Sequence, residues 1–278
     1  MGVNGQQSNK QYTDDVVIIK DFRVAKRLVY LRTQCNRNYE CIGSKSPKNS
    51  VNEDKLKNNL VRARSKILEY ALCNEWEWYF TATIDGKKYN RTDLKRYRND
   101  FTRFLQRFGR QNRLTIQYLI IPELHKDGKS WHAHGFIKGL PVEYLSEFKY
   151  NRKLPKYIKT RLNYGYKLYE FRPYSERFGF NDFERIRDLK RSASYITKYI
   201  TKDLGRSVSE LGLHTFFASK GLKTAKEIDR GILKMDSSIE FDYECEYFAI
   251  KWLETDEDYH KYFDDPDGWH PCENTPFD

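Results

Sequence analysis

Several things are scarce in this sequence, and each absence excludes something. No window of the 278 residues approaches 18 consecutive apolar positions, so no membrane-spanning helix is expected. The opening stretch, MGVNGQQSNKQYTDD, has no apolar segment of signal-peptide type, so no secretory leader is expected there. Gly2 is followed by Gln6 and Gln7 before the serine, a poor match to a myristoylation site. Cysteines are few and scattered: Cys35, Cys41, Cys73, Cys245 and Cys272 are odd in number and form no CxxC pair. Their spacing suits neither a structural zinc site nor a disulfide framework, and they read as free thiols of a reducing cytosol. GxxxxGK[ST] occurs nowhere, so the chain carries no P-loop motor of its own.

Negative charge is scarce outside the C-terminal end. Fourteen acidic residues stand against Lys251 and Lys261 from Asp236 to Asp278, a balance of −12, which leaves +23 on residues 1–235 of a chain whose total is +11. A charge that large points to a polyanionic partner, and nucleic acid is the usual one. The bland alternative is a basic, merely soluble surface.

What is present can fold. Hydrophobic residues make up 39% and aromatics 15%, enough for a packed core. Residues 1–50 read as a polar N-terminal extension with one apolar patch, VVIIKDFRVAKRLVYL. Ser50 and Glu53 form a capping box that opens a helix of about 20 residues running to Cys73. WEWYFTATI (76–84) reads as a strand. A helix capped by Thr92 comes next, with Leu94, Tyr97, Phe101, Phe104, Leu105 and Phe108 at helical spacing and Gly109 closing it. IQYLIIPEL (116–124) and WHAHGFIKG (131–139) read as an antiparallel pair joined by a short turn. Pro141 opens a short helix over 141–150, GYKLYEF (165–171) and GFNDFERI (179–186) read as strands, LKRSASYITKYITKDL (189–204) as a helix and HTFFASKGL (214–222) as a strand. The strict alternation of IEFDYECEY (239–247) predicts a half-buried strand with an acidic outer face. This order fits an α+β fold with a central antiparallel sheet and helices packed on one face.

Two constellations carry chemistry. His132 and His134 flank Ala133 on one strand, so both imidazoles leave the same face and can converge on one divalent ion. Glu123 ends the preceding strand and, across the turn, lies where a third ligand is needed; His125, in the turn, competes with it. A HxH also arises by chance. The second is YITKYITK, in which Tyr195 and Tyr199 lie one helical turn apart, each followed three residues later by Lys198 and Lys202. Phenol has a pKa near 10, so a tyrosine nucleophile needs a cation or a base beside it, which Lys198 or Lys202 would supply. The plain alternative is a tyrosine stripe on the core with lysines reaching to solvent.

Together the segments resemble the HUH endonuclease superfamily, the replication initiators and relaxases that nick single-stranded DNA. WYFTATID (78–85) resembles the first family motif, HAHGF (132–136) the second, with Glu123 where the acidic ligand falls, and SYITKYITK (194–202) the third, of two-tyrosine YxxxY type. FFASKGL (216–222) is similar to segments downstream of the third motif in phage and plasmid initiators. The likeness covers roughly residues 55–225, which implies an endonuclease domain over 51–235 of RRM/ferredoxin-like HUH fold, between the N-terminal extension and an acidic C-terminal segment, 236–278. It implies Mg²⁺ or Mn²⁺ held by Glu123, His132 and His134, attack by a tyrosine on the origin strand, a 5′-phosphotyrosine, a free 3′-OH primer, and rejoining by the second tyrosine. Tyr199 is the tyrosine expected to be indispensable. Implied partners are single-stranded origin DNA and a host helicase and polymerase, in the cytoplasm of a bacterial host and away from any membrane. A relaxase or transposase of the same superfamily is the alternative within it, although relaxases often place their tyrosine before the histidines. A non-catalytic basic module for RNA or single-stranded DNA is the alternative outside it.

Arg96, Arg103, Arg107 and Arg110, at near-helical spacing, and Arg191 are candidates to track the DNA backbone. Aromatics of the Tyr/Arg/Lys-rich 150–180 stretch are candidates to stack unpaired bases. Ordinary solvated charge and core aromatics are the competing explanation for both. The acidic tail reads as a solvated charge run, with competition for the DNA groove as the alternative.

Overall fold

The computed structural model describes residues 16–31, 53–201, 204–205, 207–208, 213–234, 239–244 and 248–264. In chain order its elements are β1 (Val16–Asp21), β2 (Lys26–Leu31), α1 (Glu53–Cys73), β3 (Trp78–Thr83), α2 (Leu94–Gln111), β4 (Gln117–Leu124), β5 (Trp131–Lys138), β6 (Ser146–Glu147), α3 (Lys156–Asn163), β7 (Tyr169–Glu170), α4 (Arg172–Arg177), β8 (Asn181–Arg185), α5 (Leu189–Ile196), β9 (Phe217–Ala218), β10 (Lys226–Leu233), β11 (Tyr243–Glu244), β12 (Phe248–Leu253) and β13 (Phe263–Asp264). Two compact units divide the chain, residues 46–224 and residues 1–45 with 225–278. Among the described residues no helix is long and apolar enough to cross a membrane.

The larger unit is built on a seven-stranded sheet in the order β6-β7-β8-β3-β5-β4-β9, antiparallel throughout. β3 lies at its centre and sorts the residues by parity. Trp78, Phe80 and Ala82 are buried, while Tyr79, Thr81 and Thr83 are half-buried on the other face. On the buried face Phe80 packs edge-on against Phe101 of α2 and stacks on Phe183 of β8. Leu94, Tyr97, Phe101 and Leu105 of α2 recur three or four residues apart, and all are buried. Each such side chain stabilises the fold by about 1.5–3 kcal/mol on burial. Tyr174 of α4 completes the layer, with its hydroxyl 2.8 Å from that of Tyr97. The other face carries α5, whose Tyr195 ring lies edge-on to Tyr79. The α+β class with a central antiparallel sheet is therefore as expected, but helices meet both faces of the sheet and not one.

Local chemistry moves several boundaries. Asp93, not Thr92, caps α2, accepting from the backbone N of Arg96 at 2.9 Å, while Thr92 bonds the side chain of Asn90. α2 continues past Gly109 to Gln111; this glycine serves close packing and not helix termination, since a Cβ there would sit 2.8 Å from the Leu114 carbonyl. The helix expected from Pro141 is one 3₁₀ turn, Val142–Tyr144, before β6. The expected strand 165–171 shrinks to Tyr169–Glu170, between the unanticipated helices α3 and α4, and the strand expected over 214–222 shrinks to Phe217–Ala218. The long helix expected over 189–204 gives way after Ile196 to a 3₁₀ turn, Thr197–Tyr199. β-branched residues crowd this stretch, and the Thr197 hydroxyl donates to the Ser194 carbonyl at 2.7 Å, a bond that competes with the helix ladder. Arg64 of α1 then donates to the Ile200 carbonyl from Nη2 at 2.6 Å and from Nε at 3.2 Å, tying down the end of the tyrosine segment. The capping box at Ser50 falls partly outside the described residues.

The smaller unit is a six-stranded sheet, β11-β12-β2-β1-β10-β13, over a core of Val17, Ile19, Leu28, Leu253 and Phe263. The apolar patch of the N-terminal extension is its β1–β2 hairpin. Nothing in the sequence announces that turn, since Arg23 and not glycine takes the positive φ of 70°. Of the alternating segment 239–247, only Tyr243–Glu244 pairs as a strand, and Tyr243 is exposed and not half-buried; residues 245–247 lie outside the described residues.

Candidate functional site

β4 and β5 form a hairpin in which Glu123 stands directly opposite His132 and Ile121 opposite His134. β5 also pairs with β3, setting His134 against Thr81 and His132 against Thr83. Direct partners in antiparallel strands share a face. Glu123, His132 and His134 therefore leave the sheet on the same side as Tyr79, away from the face packed by α2.

His134 is at the middle of this arrangement. Its Nε2 lies 2.7 Å from Glu123 Oε2 and its Nδ1 lies 3.1 Å from the Tyr79 hydroxyl. With the ring neutral, Nε2–H donates to the carboxylate and Nδ1 accepts from Tyr79, so both nitrogens are satisfied. The contact holds Glu123 below the usual carboxylate range: the His134 hydrogen bond outweighs the opposing effect of burial. Burial, then the neighbouring His125, lowers the His132 pKa and favours the neutral, ligating imidazole.

Tyr199 covers His134. The two rings are stacked with centroids 3.8 Å apart and planes 9° from parallel. The Tyr199 hydroxyl lies 3.0 Å from that of Tyr195 and 3.4 Å from that of Tyr79, the latter long for an O–H···O bond. Burial, followed by the bond to Tyr195, raises its pKa above that of a free phenol, so Tyr199 rests protonated. Tyr195 is 45% exposed. Lys198 stands over the Tyr195 ring, 4.9 Å from its centroid, while Lys202 lies outside the described residues.

The donor set fits a divalent cation in kind, with two imidazoles and a carboxylate on one face. Glu123 and His134 already meet, whereas the His132 ring stacks on His125 with centroids 5.0 Å apart. Among the described residues no three such groups converge into a formed cage. The fit therefore rests on the shared face and on the chemistry of the donors.

Three residues escape sequence reasoning. Tyr79 is legible there only as one aromatic of a strand; the alternation of WYFTAT is the signal that aims it at the histidines. Asp182 of β8 pairs with Thr81, itself opposite His134, and so lies in the same row of the same face. It is buried, accepts from the Tyr157 hydroxyl at 2.7 Å, and burial pushes its pKa up to about 6. Arg64, on a helix far away in sequence, gives no sequence signal of its tie to Ile200.

The predicted phosphate contacts divide. Arg96, Arg103, Arg107 and Arg110 are exposed on α2, the helix that packs on the opposite face of the sheet from His134, and Arg96 pairs with Asp100 at 3.8 Å. Arg191 is exposed on α5, on the tyrosine side.

No curated protein and no solved structure matches the chain. Residues 77–204 match the model of a family described as replication-associated protein ORF2/G2P. That stretch runs from β3 through both tyrosines and contains Glu123, His132 and His134. The region that builds the site is thus similar to a family of replication-associated proteins, and this likeness supports a replication initiator.

Proposed function

We propose that the chain initiates rolling-circle replication as a two-tyrosine nickase of the HUH type, cutting single-stranded origin DNA by attack of Tyr199. The observation that carries this reading is the stacking of Tyr199 on His134, with Glu123 bonded to the far side of the same imidazole.

The Tyr199 oxygen would form a bond to the scissile phosphorus while the P–O3′ bond breaks, giving a 5′-phosphotyrosine and a 3′-oxygen that takes up a proton and primes synthesis. The phenolic proton has to leave Tyr199; its hydroxyl donates to that of Tyr195, which is exposed and can relay the proton to solvent, while the departing 3′-oxygen takes up a proton in return. Mg²⁺ or Mn²⁺, held by Glu123, His134 and His132, would supply Lewis-acid polarisation of the phosphate and offset its developing charge. Tyr79 holds the His134 ring through Nδ1 and is a positioning residue. Lys198 stands over the Tyr195 ring and would add a positive charge beside a phosphate bound there. Tyr195, exposed and 3.0 Å from Tyr199, is suited to the second transfer that rejoins the ends. With no P-loop in the sequence, unwinding falls to a host helicase and extension to a host polymerase.

The test uses an oligonucleotide carrying the origin of the parent replicon, with Mn²⁺. Wild-type protein nicks it; Tyr199→Phe forms no adduct and His132→Ala loses metal-dependent cleavage. Wild-type nicking rates in both variants would overturn the reading.

A further inference from the structure

Residues 148–169 carry seven Lys and Arg and no Asp or Glu. Three of their six aromatics are displayed, Tyr150 at 60%, Tyr157 at 45% and Tyr164 at 78% exposure, while Phe148, Tyr166 and Tyr169 are half-buried. Among the described residues five tyrosines are exposed; three lie in this segment and a fourth is Tyr195. A core-packing role does not account for phenol rings left this open, because burial of an aromatic ring is what stabilises it in a fold. Tyr166 shows what the surface favours: the guanidinium groups of Arg161 and Arg187 stand 4.6 and 4.7 Å from its ring centroid, a cation–aromatic arrangement.

The segment borders the candidate site. α3 is fastened to the sheet by the bond from Tyr157 to Asp182, and Asp182 shares the row of Thr81 and His134. α3 and the tyrosine turn after α5 thus touch the same face of the sheet, α3 at β8 and the turn at β5. The α2 arginines belong to the layer behind it.

We infer that residues 148–169 form a single-stranded DNA grip beside the nicking site, with Tyr150 and Tyr164 stacking bases and Arg152, Lys153 and Lys156 contacting phosphates. The segment itself holds no acidic residue, and among the described residues its Arg161 alone pairs with a carboxylate outside it, Glu184. Exposed aromatics interleaved with such cations suit unpaired bases on a polyanionic backbone; duplex DNA keeps its base faces stacked and offers only its charge to such a surface. The inference rests on the nickase reading for the identity of the polymer, and its test does not use cleavage.

The test measures fluorescence anisotropy of the full chain, in chelator, with a labelled oligo-dT and with an equally long abasic sugar–phosphate chain, across a salt series. Wild-type protein prefers oligo-dT. The double variant Tyr150→Ala/Tyr164→Ala binds oligo-dT at least about fivefold more weakly, with unchanged abasic affinity and salt slope. Lys153→Gln/Lys156→Gln weakens both ligands and reduces the slope of log K against log salt by about 0.7 per lysine. Unchanged oligo-dT affinity in the tyrosine variant, or equal loss on both ligands as a charge-only site would give, overturns the grip. A chain that shows the expected pattern yet cuts no DNA keeps the grip and loses the nickase reading; one that cuts with unchanged tyrosine-variant binding does the reverse.

Discussion

The phenol ring of Tyr199 lies flat on the imidazole of His134, 3.8 Å from centroid to centroid. A residue of the last helical segment and one of the central hairpin are thereby held as one unit, while Tyr195 stands exposed beside them. The two tyrosines of the YxxxY pair are in different environments, and they should behave differently on substitution.

Tyr79 touches both halves of that unit through its hydroxyl, and its ring packs against Phe136 and Tyr195. Tyr79→Phe keeps the ring and removes the hydroxyl. Single-turnover cleavage at saturating DNA should fall about 10- to 100-fold, with little change in the DNA concentration at half-saturation or in melting temperature. A loss that appears in DNA affinity or in the melt would contradict a positioning role.

Asp182 titrates near 6 in the fold because burial disfavours its charge. The folded state then holds a proton that the unfolded chain, with a carboxyl near 3.9, has already released. Stability from this group falls as pH rises from about 4 to about 6 and stays reduced above that, by roughly 3 kcal/mol. Asp182→Asn keeps an acceptor for Tyr157 and removes the charge, so it should melt higher than wild type at pH 8, with the gain shrinking as pH falls from about 6 to about 4. A pH-independent difference between the two melts would sink this assignment.

The cation should depend on the shared face of the hairpin. Mn²⁺ titrations followed by calorimetry should show binding lost in Glu123→Ala and His134→Ala and retained in His125→Ala. Because burial holds the His132 pKa down, binding should persist somewhat below the pH at which an ordinary histidine protonates. Loss in His125→Ala with retention in His132→Ala would exchange the two as ligands.

Gly135 sits directly after the histidines because nothing larger fits. A Cβ there would stand 2.3 Å from the Leu119 carbonyl and 2.6 Å from the Phe80 ring. Gly135→Ala should cost about 1–3 kcal/mol or more and lower the melting temperature by roughly 5 °C. An unchanged melt would mean that β4 and β3 yield more easily than a packed sheet should.

The parts legible in the sequence are those set by short-range pattern. The alternation of β3, the 3.6-residue stripe of α2 and the two strands around HAHGF specify their own faces, so Glu123 can be placed beside the histidines. What is not legible depends on distant partners. The break after Ile196 is stabilised by Arg64, more than 100 residues away in the chain. α3 has a single buried residue, Ile158, and leaves no apolar stripe to read. The β1–β2 hairpin turns on an arginine, and β10, which pairs with β1, comes from the other end of the sequence. The α2 arginines look like a DNA-tracking row in sequence, and only the parity of β3 reveals that their helix packs behind the site.

The central claim is that Tyr199 is the nucleophile. The most direct measurement incubates the full chain with single-stranded origin DNA and Mn²⁺, recovers any protein–DNA species that survives denaturation, and maps the nucleotide-bearing peptide by mass spectrometry. The account predicts a phosphodiester link on Tyr199 in wild type and in Tyr195→Phe, and no first-strand adduct in Tyr199→Phe. An adduct confined to Tyr195, or cleavage that leaves no covalent species at all, would contradict it.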